Sequence, residues 1–88
     1  MADKTLRSAL AIKRRRQVES QCGISRSTLY SRIKAGTFPP AVPVGKRAVG
    51  WLSHEVDAVI HGQIRGLDDS SMRLLVDDLV AARAAYFE

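Results

Sequence analysis

The sequence predicts a small, mostly helical domain that contains a single β-hairpin. Three observations lead to this fold class. Apolar residues recur at helical spacing in four segments, a proline-rich stretch after Gly36 interrupts the helices, and two short segments of β-type composition flank a glycine-containing loop. The chain has 88 residues, which suffice for one domain with a small core and modest stability.

The segment that follows Gly23 predicts a tight turn and then a short helix. Ser25 is a suitable N-cap, and Ile24 and Leu29 have the spacing of a hydrophobic staple. Gly36 supplies the left-handed residue that ends such a helix. A short capped helix with cationic and hydroxyl side chains on its free surface is typical of one that enters the DNA major groove. The candidate DNA-binding residues of this recognition helix are Ser25, Arg26, Ser27, Thr28, Tyr30, Ser31, Arg32 and Lys34.

Four consecutive cations, Lys13 to Arg16, overlap the start of a shorter helix predicted from Arg15 to about Gln21. Such a run is often only a solvated stretch of chain. In helix-turn-helix proteins, however, the first helix crosses the phosphate backbone, so a basic run at its start is well placed for phosphates. Arg14, Arg15 and Arg16 are therefore candidate phosphate contacts.

Residues 42–44 and 49–51 predict the two strands of the hairpin, with Lys46 and Arg47 in the loop between them. A two-stranded ribbon with a basic tip that follows a recognition helix is typical of the wing of a winged helix-turn-helix domain. Lys46 and Arg47 are candidate wing contacts to DNA, although such a pair also occurs in ordinary solvated turns. Trp51 is expected to anchor the hairpin to the core rather than to stack on a base.

A third helix is predicted to begin at Ser53, as its N-cap, and to end near Gly66. Glu55 and Asp57 lie in its first turn, where the helix dipole favours anions. Residues 66–88 predict a fourth, amphipathic helix with Asp69 or Ser70 as its cap.

The apolar stripe of that fourth helix, from Met72 to Tyr86, follows nearly heptad spacing. It either packs back on the domain or pairs with a second copy, and the sequence leaves this choice open. The predicted division of the chain is a flexible N-terminal arm at 1–11, a winged helix-turn-helix domain at 12–65 and a C-terminal amphipathic helix at 66–88.

No cofactor or metal is expected. His54, Asp57 and His61 share helical spacing, but an exposed polar face explains them better than a zinc site, which needs further converging ligands. Cys22 is the single cysteine, so an intramolecular disulfide is excluded, and we expect it to be a small core residue. Without a nucleophile–base pair or a phosphate-binding loop, the chain is not expected to be an enzyme.

The charges are unevenly distributed along the chain. Residues 1–50 hold eleven Lys or Arg against two acids, a net charge of +9, whereas residues 51–88 hold three Arg against seven acids, a net charge of −4. A basic half joined to an acidic half indicates one surface that faces a polyanion and another that faces water or a protein. The sequence has no long apolar run, signal peptide or lipidation motif, so we expect no membrane binding.

The motifs GISRSTLY, IKAGTFPPAV and RAVGW, followed by LSHEVDAVI, resemble in this order the AlpA-like phage regulatory proteins. These are grouped with the excisionases in the winged-helix branch related to MerR-type DNA-binding domains. The resemblance covers about residues 12–65 and implies a MerR/excisionase-like winged helix-turn-helix that binds DNA through the recognition helix and the wing. The more cationic start of the first helix and the acidic C-terminal helix depart from the family pattern.

The residues and the resemblance together imply double-stranded DNA as a partner in the cytoplasm of a bacterial cell or a phage-infected host. They leave three roles open. The first is an excisionase, or recombination directionality factor, of a prophage or other mobile genetic element, which binds repeated sites near an attachment site, bends DNA and promotes excision by an integrase (a tyrosine or serine recombinase). The second is a transcription regulator that activates an integrase or transfer operon through RNA polymerase. The third is a protein-interaction module, such as an antitoxin or a small terminase subunit.

Overall fold

The computed structural model describes residues 10–87, so most of the predicted arm, residues 1–9, lies outside the described part of the chain. The order of elements is that of a winged helix-turn-helix with a C-terminal helix, which confirms the predicted fold class. The strands are β1 (Ile12–Lys13), β2 (Val42–Pro43) and β3 (Val49–Leu52), and the helices are α1 (Arg15–Cys22), α2 (Arg26–Ala35), α3 (Ser53–Ile64) and α4 (Asp69–Ala82), followed by a 3-10 helix (Arg83–Phe87).

The turn between α1 and α2 follows the local rules that predicted it. Gly23 adopts the left-handed conformation with φ 67°, and its N–H donates to the Glu19 carbonyl. The Ser25 hydroxyl accepts from the N–H of Thr28 at 3.2 Å, which confirms the predicted N-cap. Gly36 ends α2 with φ 83°, as predicted. The two helices of the helix-turn-helix are therefore bounded by side chains and glycines within the segment itself.

The hairpin is part of a three-stranded antiparallel sheet in the order β1-β3-β2. The central strand β3 pairs with β2 as predicted, but it also pairs with β1, in the register Ile12↔Leu52 and Lys13↔Trp51. The strand β1 was not predicted from the sequence, because a strand of two residues shows no alternation of apolar and polar side chains. Gly50 is required at the centre of the sheet, since a Cβ there would collide with the Ile12 side chain and lie 3.1 Å from the Lys13 carbonyl oxygen.

Trp51 on β3 lies in the middle of the core and has no exposed surface. Its Nε1–H donates to the Pro39 carbonyl at 3.1 Å, so the indole has both its apolar contacts and its hydrogen bond. The predicted role of Trp51 as an anchor between the hairpin and the core is confirmed. The buried apolar side chains of the core are Val18, Leu29, Phe38, Trp51, Val56, Val59, Met72 and Val76.

Two predicted helix caps are wrong by one or two residues. α3 already includes Ser53, because the pairing of β3 with β1 keeps Leu52 extended in the cap position and continues to the Ser53 N–H, which donates to the Ala11 carbonyl at 2.8 Å. α4 is capped by Asp68, whose carboxylate accepts from the Ser71 N–H at 2.8 Å, rather than by Asp69 or Ser70. That backbone hydrogen bond, supported by the Ser71 hydroxyl, lowers the pKa of Asp68.

The helix α4 packs against α3, and Met72 and Val76 are buried in the core. Gly62 of α3 makes this close approach possible, since a Cβ at that position would lie 3.0 Å from the Met72 Cε and 3.1 Å from Leu67. The centre of α4's apolar stripe is thus covered within the chain. Tyr86 at its far end remains half exposed.

Glu55 lies in the first turn of α3, as predicted, and it forms a buried ion pair there that was not predicted. Its side chain is 1% exposed, and Arg83 donates to it through Nε at 2.8 Å and Nη2 at 2.6 Å. The same Nη2 donates to the Pro40 carbonyl at 2.8 Å. These hydrogen bonds from Arg83 to Glu55 raise the pKa of Arg83. The 3-10 helix is therefore fastened both to α3 and to the loop that follows α2.

Replacing Arg83 by Met should lower the free energy of unfolding by about 3 kcal/mol, because it leaves the Glu55 carboxylate buried without a partner. The double variant Glu55→Met/Arg83→Met should recover most of this loss, since no buried charge remains. Urea unfolding of the three proteins measures both effects. Arg65→Met at an exposed position is the control, and an equal loss in that variant would contradict the assignment.

Candidate nucleic-acid interface

The predicted residues of the recognition helix divide into an exposed set and a half-buried pair. Thr28 and Arg32 are half-buried. Thr28 accepts from the Ser25 hydroxyl at 3.0 Å, and Arg32 lines a small cleft between α2 and the α3–α4 connection together with Gln63. The exposed residues are Ser25, Arg26, Ser27, Tyr30, Ser31 and Lys34. The free surface of α2 and its cap thus presents two cations, three serines and one tyrosine.

Tyr30 is the large side chain on that free surface, with 42% of its area exposed. Its ring meets the buried Trp51 ring edge to face, with the centroids 6.4 Å apart. The guanidinium carbon of Arg26 lies 5.9 Å from the Tyr30 ring centroid, within the range of a cation–π contact. Sequence reasoning singled out Arg26 and Tyr30 separately and missed that they touch, although their i, i+4 spacing is the signal that shows it.

A cationic cleft of about 330 Å³ opens between the first helix, the recognition helix and the wing. Three separate parts of the chain form it, and they are brought together by the β1–β3 pairing. Its walls are Arg14, Arg15, Arg16, Tyr30, Arg47, Ala48 and Val49. The structure therefore brings the predicted phosphate contacts of the first helix and one predicted wing contact to a single site.

The arginines of this cationic cleft are held in different ways. Arg14 donates from Nε to the Val49 carbonyl at 3.2 Å, which ties the start of α1 to the wing strand. Arg15 forms an ion pair with Glu19 one turn further along α1. Arg16 and Arg47 are exposed and have no ion-pair partner among residues 10–87. The basic run is an ordered part of the fold, because the Arg14 N–H also donates to the Gln17 side chain at 2.8 Å.

Lys46 lies at the tip of the wing, outside the walls of the cleft. The turn that carries it is closed by the Val44 N–H, which donates to the Ala48 carbonyl at 2.9 Å. Lys46 is exposed, so its ammonium group projects from the tip without a fixed partner in the described part of the chain. The wing therefore offers one cation within the cleft, from Arg47, and one beyond it.

Two polar residues of α3, Asp57 and His54, contact side chains of other elements. Asp57 accepts from the Gln21 amide at 2.8 Å, and Gln21 also accepts from Lys13. His54 is half-buried, with its Nε2 at 3.4 Å from the Tyr86 hydroxyl. Within residues 10–87, no three His, Cys, Asp or Glu side chains are grouped to hold a metal ion. Cys22 is half-buried against the core, and this burial raises the pKa of its thiol.

A helix-turn-helix followed by a hairpin whose basic loop joins the recognition helix in one cleft defines a winged helix-turn-helix protein. The family described as "Prophage CP4-57 regulatory protein (AlpA)" matches residues 11–64, from the strand β1 to the end of α3. The chain belongs to this AlpA family of phage regulatory proteins, as the resemblance in the sequence predicted.

One relative is "Uncharacterized protein ORF88" of Enterobacteria phage P4, which is 48% identical over 50 residues. The match covers 57% of this chain and 57% of that protein, so it spans little more than half of either. No solved structure matches the chain. None of the helices in the described part of the chain combines the length and the apolarity that a membrane crossing requires.

The role of Ser25 as the N-cap of the recognition helix can be tested by measuring the stability of the folded protein. Replacing Ser25 by Ala removes the acceptor of the Thr28 N–H, so the free energy of unfolding should fall by about 1 kcal/mol. Ser31→Ala, an exposed change in the middle of the same helix, should leave stability unchanged or raise it slightly, because Ala has the higher helix propensity. Thermal unfolding compares the two variants, and equal midpoints would refute the capping role.

Proposed function

We propose that the chain binds double-stranded DNA sequence-specifically, with α2 in the major groove and the cationic cleft on the phosphate backbone. The observation that carries this proposal is the cleft itself, where Arg14, Arg16 and Arg47 lie around Tyr30 of the recognition helix. An Arg guanidinium matches the geometry of a phosphate, and its charge adds the salt-dependent attraction on which DNA binding relies. The acids of the described chain lie mainly on α3, α4 and the segment between them, and no acid lines this cleft.

The proposed contacts divide into two kinds. Arg26, Ser27 and Ser31 on the exposed face of α2 contact base edges, and Arg26 is the candidate for a bidentate contact to guanine. Phosphates are contacted by Arg14, Arg16, Lys34, Lys46 and Arg47, with Arg15 contributing less because it is paired with Glu19. If these five contacts form, the logarithm of the binding constant falls with the logarithm of salt concentration at a slope of about −4 to −5.

For the biological output, we propose a recombination directionality factor of a prophage or other mobile element, acting in the cytoplasm of the host cell. It binds repeated sites near an attachment site, bends the DNA and assists an integrase in excision. Its support is the winged helix-turn-helix with its cationic cleft, together with membership of a phage family. The second candidate is a transcription regulator that contacts RNA polymerase, and the family's description as regulatory proteins favours it.

Footprinting and gel-shift analysis across the protein's own genomic neighbourhood test the proposal. Cooperative protection of direct repeats beside an attachment site, with the anomalous mobility of bent DNA, supports the excision role. A single palindromic footprint at a promoter favours the transcription regulator. The absence of any specific footprint would refute DNA recognition and bring forward a protein-interaction module such as an antitoxin or a small terminase subunit.

A role of α4 in contacting an integrase or RNA polymerase is best tested by substituting its exposed residues rather than by deleting the helix. Deleting α4 removes Met72 and Val76 from the core, so a loss of function would report unfolding. Asp77 and Asp78 are exposed on α4, and the change of both to Asn leaves the core intact. A partner contact made by this face predicts normal DNA binding with reduced excision or reduced transcription from a reporter.

Loss of a base contact and loss of a phosphate contact should change DNA binding in different ways. Arg26→Ala should relax discrimination at one base pair, by about 1–3 kcal/mol, because a base contact is lost. Lys46→Ala should weaken binding to all sequences alike and flatten the salt slope by about one, because a phosphate contact is lost. Titrations at several salt concentrations with matched and mismatched duplexes measure both, and the same uniform loss in both variants would contradict this division.

A further inference from the structure

The position of Arg26 in α2 is unfavourable for helix stability. It is the first residue of the helix, where the positive end of the dipole repels a cation, and no acid lies in the first turn to offset it. The local sequence therefore does not explain why an arginine stands there. Its observed contact with the described chain is with the ring of Tyr30, one helical turn further on.

The Tyr30 ring is itself fixed by the core. It packs edge to face on Trp51, with an angle of 66° between the rings. Trp51 has no exposed surface and is held by its hydrogen bond to the Pro39 carbonyl. A sequence of contacts thus runs from the rigid interior to the exposed guanidinium, and each step restricts the next side chain.

We propose that Tyr30 is a positioning residue, which holds the Arg26 guanidinium in the orientation that reads a base. This inference rests on the proposed DNA-binding function and names how its specificity arises. A bidentate contact to guanine requires a fixed planar group, and a free arginine would lose side-chain entropy on binding. A cation–π contact uses the face of the ring and occupies no N–H donor, so the donors of Arg26 stay available for the base.

The alternative role for Tyr30 is a direct contact from its hydroxyl to DNA. The observed contacts of Tyr30 with Trp51 and with Arg26 are made by its ring, so removal of the hydroxyl leaves both of them in place. Tyr30→Phe removes the hydroxyl and keeps the ring, whereas Tyr30→Leu removes the ring and keeps an apolar side chain against Trp51. The two substitutions therefore separate a direct contact from positioning through the ring.

The experiment uses the full chain and duplexes that it selects from a pool with a randomised core. The affinity of Arg26→Ala is first measured for duplexes that differ at single base pairs. The base pair that Arg26 reads is the one whose replacement weakens binding of the wild type and leaves binding of Arg26→Ala unchanged. Discrimination at that base pair is then compared in the wild type, Tyr30→Phe, Tyr30→Leu and the double variant Arg26→Ala/Tyr30→Leu.

If Tyr30 positions Arg26, Tyr30→Leu lowers discrimination at that base pair by roughly two- to fivefold, which corresponds to an exposed cation–π contact. Tyr30→Phe keeps the discrimination of the wild type, whatever its effect on overall affinity. In the Arg26→Ala background, Tyr30→Leu has no further effect on discrimination, because the group that it positions is gone.

Two results would overturn the inference. In one, Tyr30→Leu retains full discrimination while Arg26→Ala loses it, so the ring does not orient the guanidinium. In the other, Tyr30→Phe loses as much discrimination as Tyr30→Leu, so the hydroxyl itself reads the base. Failure of the proposed function is a different result, in which the wild type selects no sequence from the pool.

A general loss of structure in Tyr30→Leu is checked separately. Trp51 is the single tryptophan, so its emission maximum reports whether the core beneath Tyr30 is still closed. If Tyr30→Leu keeps the emission maximum of the wild type and binds unselected duplexes with the same affinity, the variant is folded. Its loss of discrimination is then due to the altered orientation of Arg26. An exposed tryptophan together with a uniform loss on all duplexes would assign the effect of Tyr30 to folding and overturn its positioning role.

Discussion

The burial of Trp51 is the constraint on which the arrangement of this small domain depends. Its indole is the largest buried side chain, and it contacts three parts of the chain that are distant in sequence. The Nε1–H fixes Pro39 in the segment that leaves the recognition helix, the ring packs against Tyr30, and the backbone pairs with Lys13 of β1. In a domain of this size a single large side chain can thus set the angle between the helix-turn-helix and the wing.

The sheet brings positively charged residues from distant parts of the chain to one cleft. The pairing of β1 with β3 brings the start of the basic run beside the wing strand, and the hydrogen bond from Arg14 to the Val49 carbonyl continues this connection. Cations that lie more than thirty positions apart in the chain, such as Arg14 and Arg47, therefore face one cleft. Their mutual repulsion is a cost to the folded protein, which the buried contacts of Trp51 and Phe38 offset.

The features that were predicted from the sequence are those fixed by neighbouring residues. Ser25 and Gly36 bound α2 because a cap and a left-handed glycine act within one turn, and the wing strands follow from their composition and the loop between them. The strand β1 and the Glu55–Arg83 pair were missed because each depends on a partner far along the chain. The cap of α3 was misplaced for the same reason, since a backbone bond to Ala11 holds Ser53.

The packing of α4 against the core affects when the domain can fold during its synthesis. Most of the cationic residues lie in residues 1–50, but Met72, Val76 and Arg83, which complete the core and neutralise Glu55, come later in the sequence. On the ribosome the basic half emerges before the side chains that complete its core. The cationic residues of a nascent chain are therefore synthesised before the fold that brings them together in one cleft is complete.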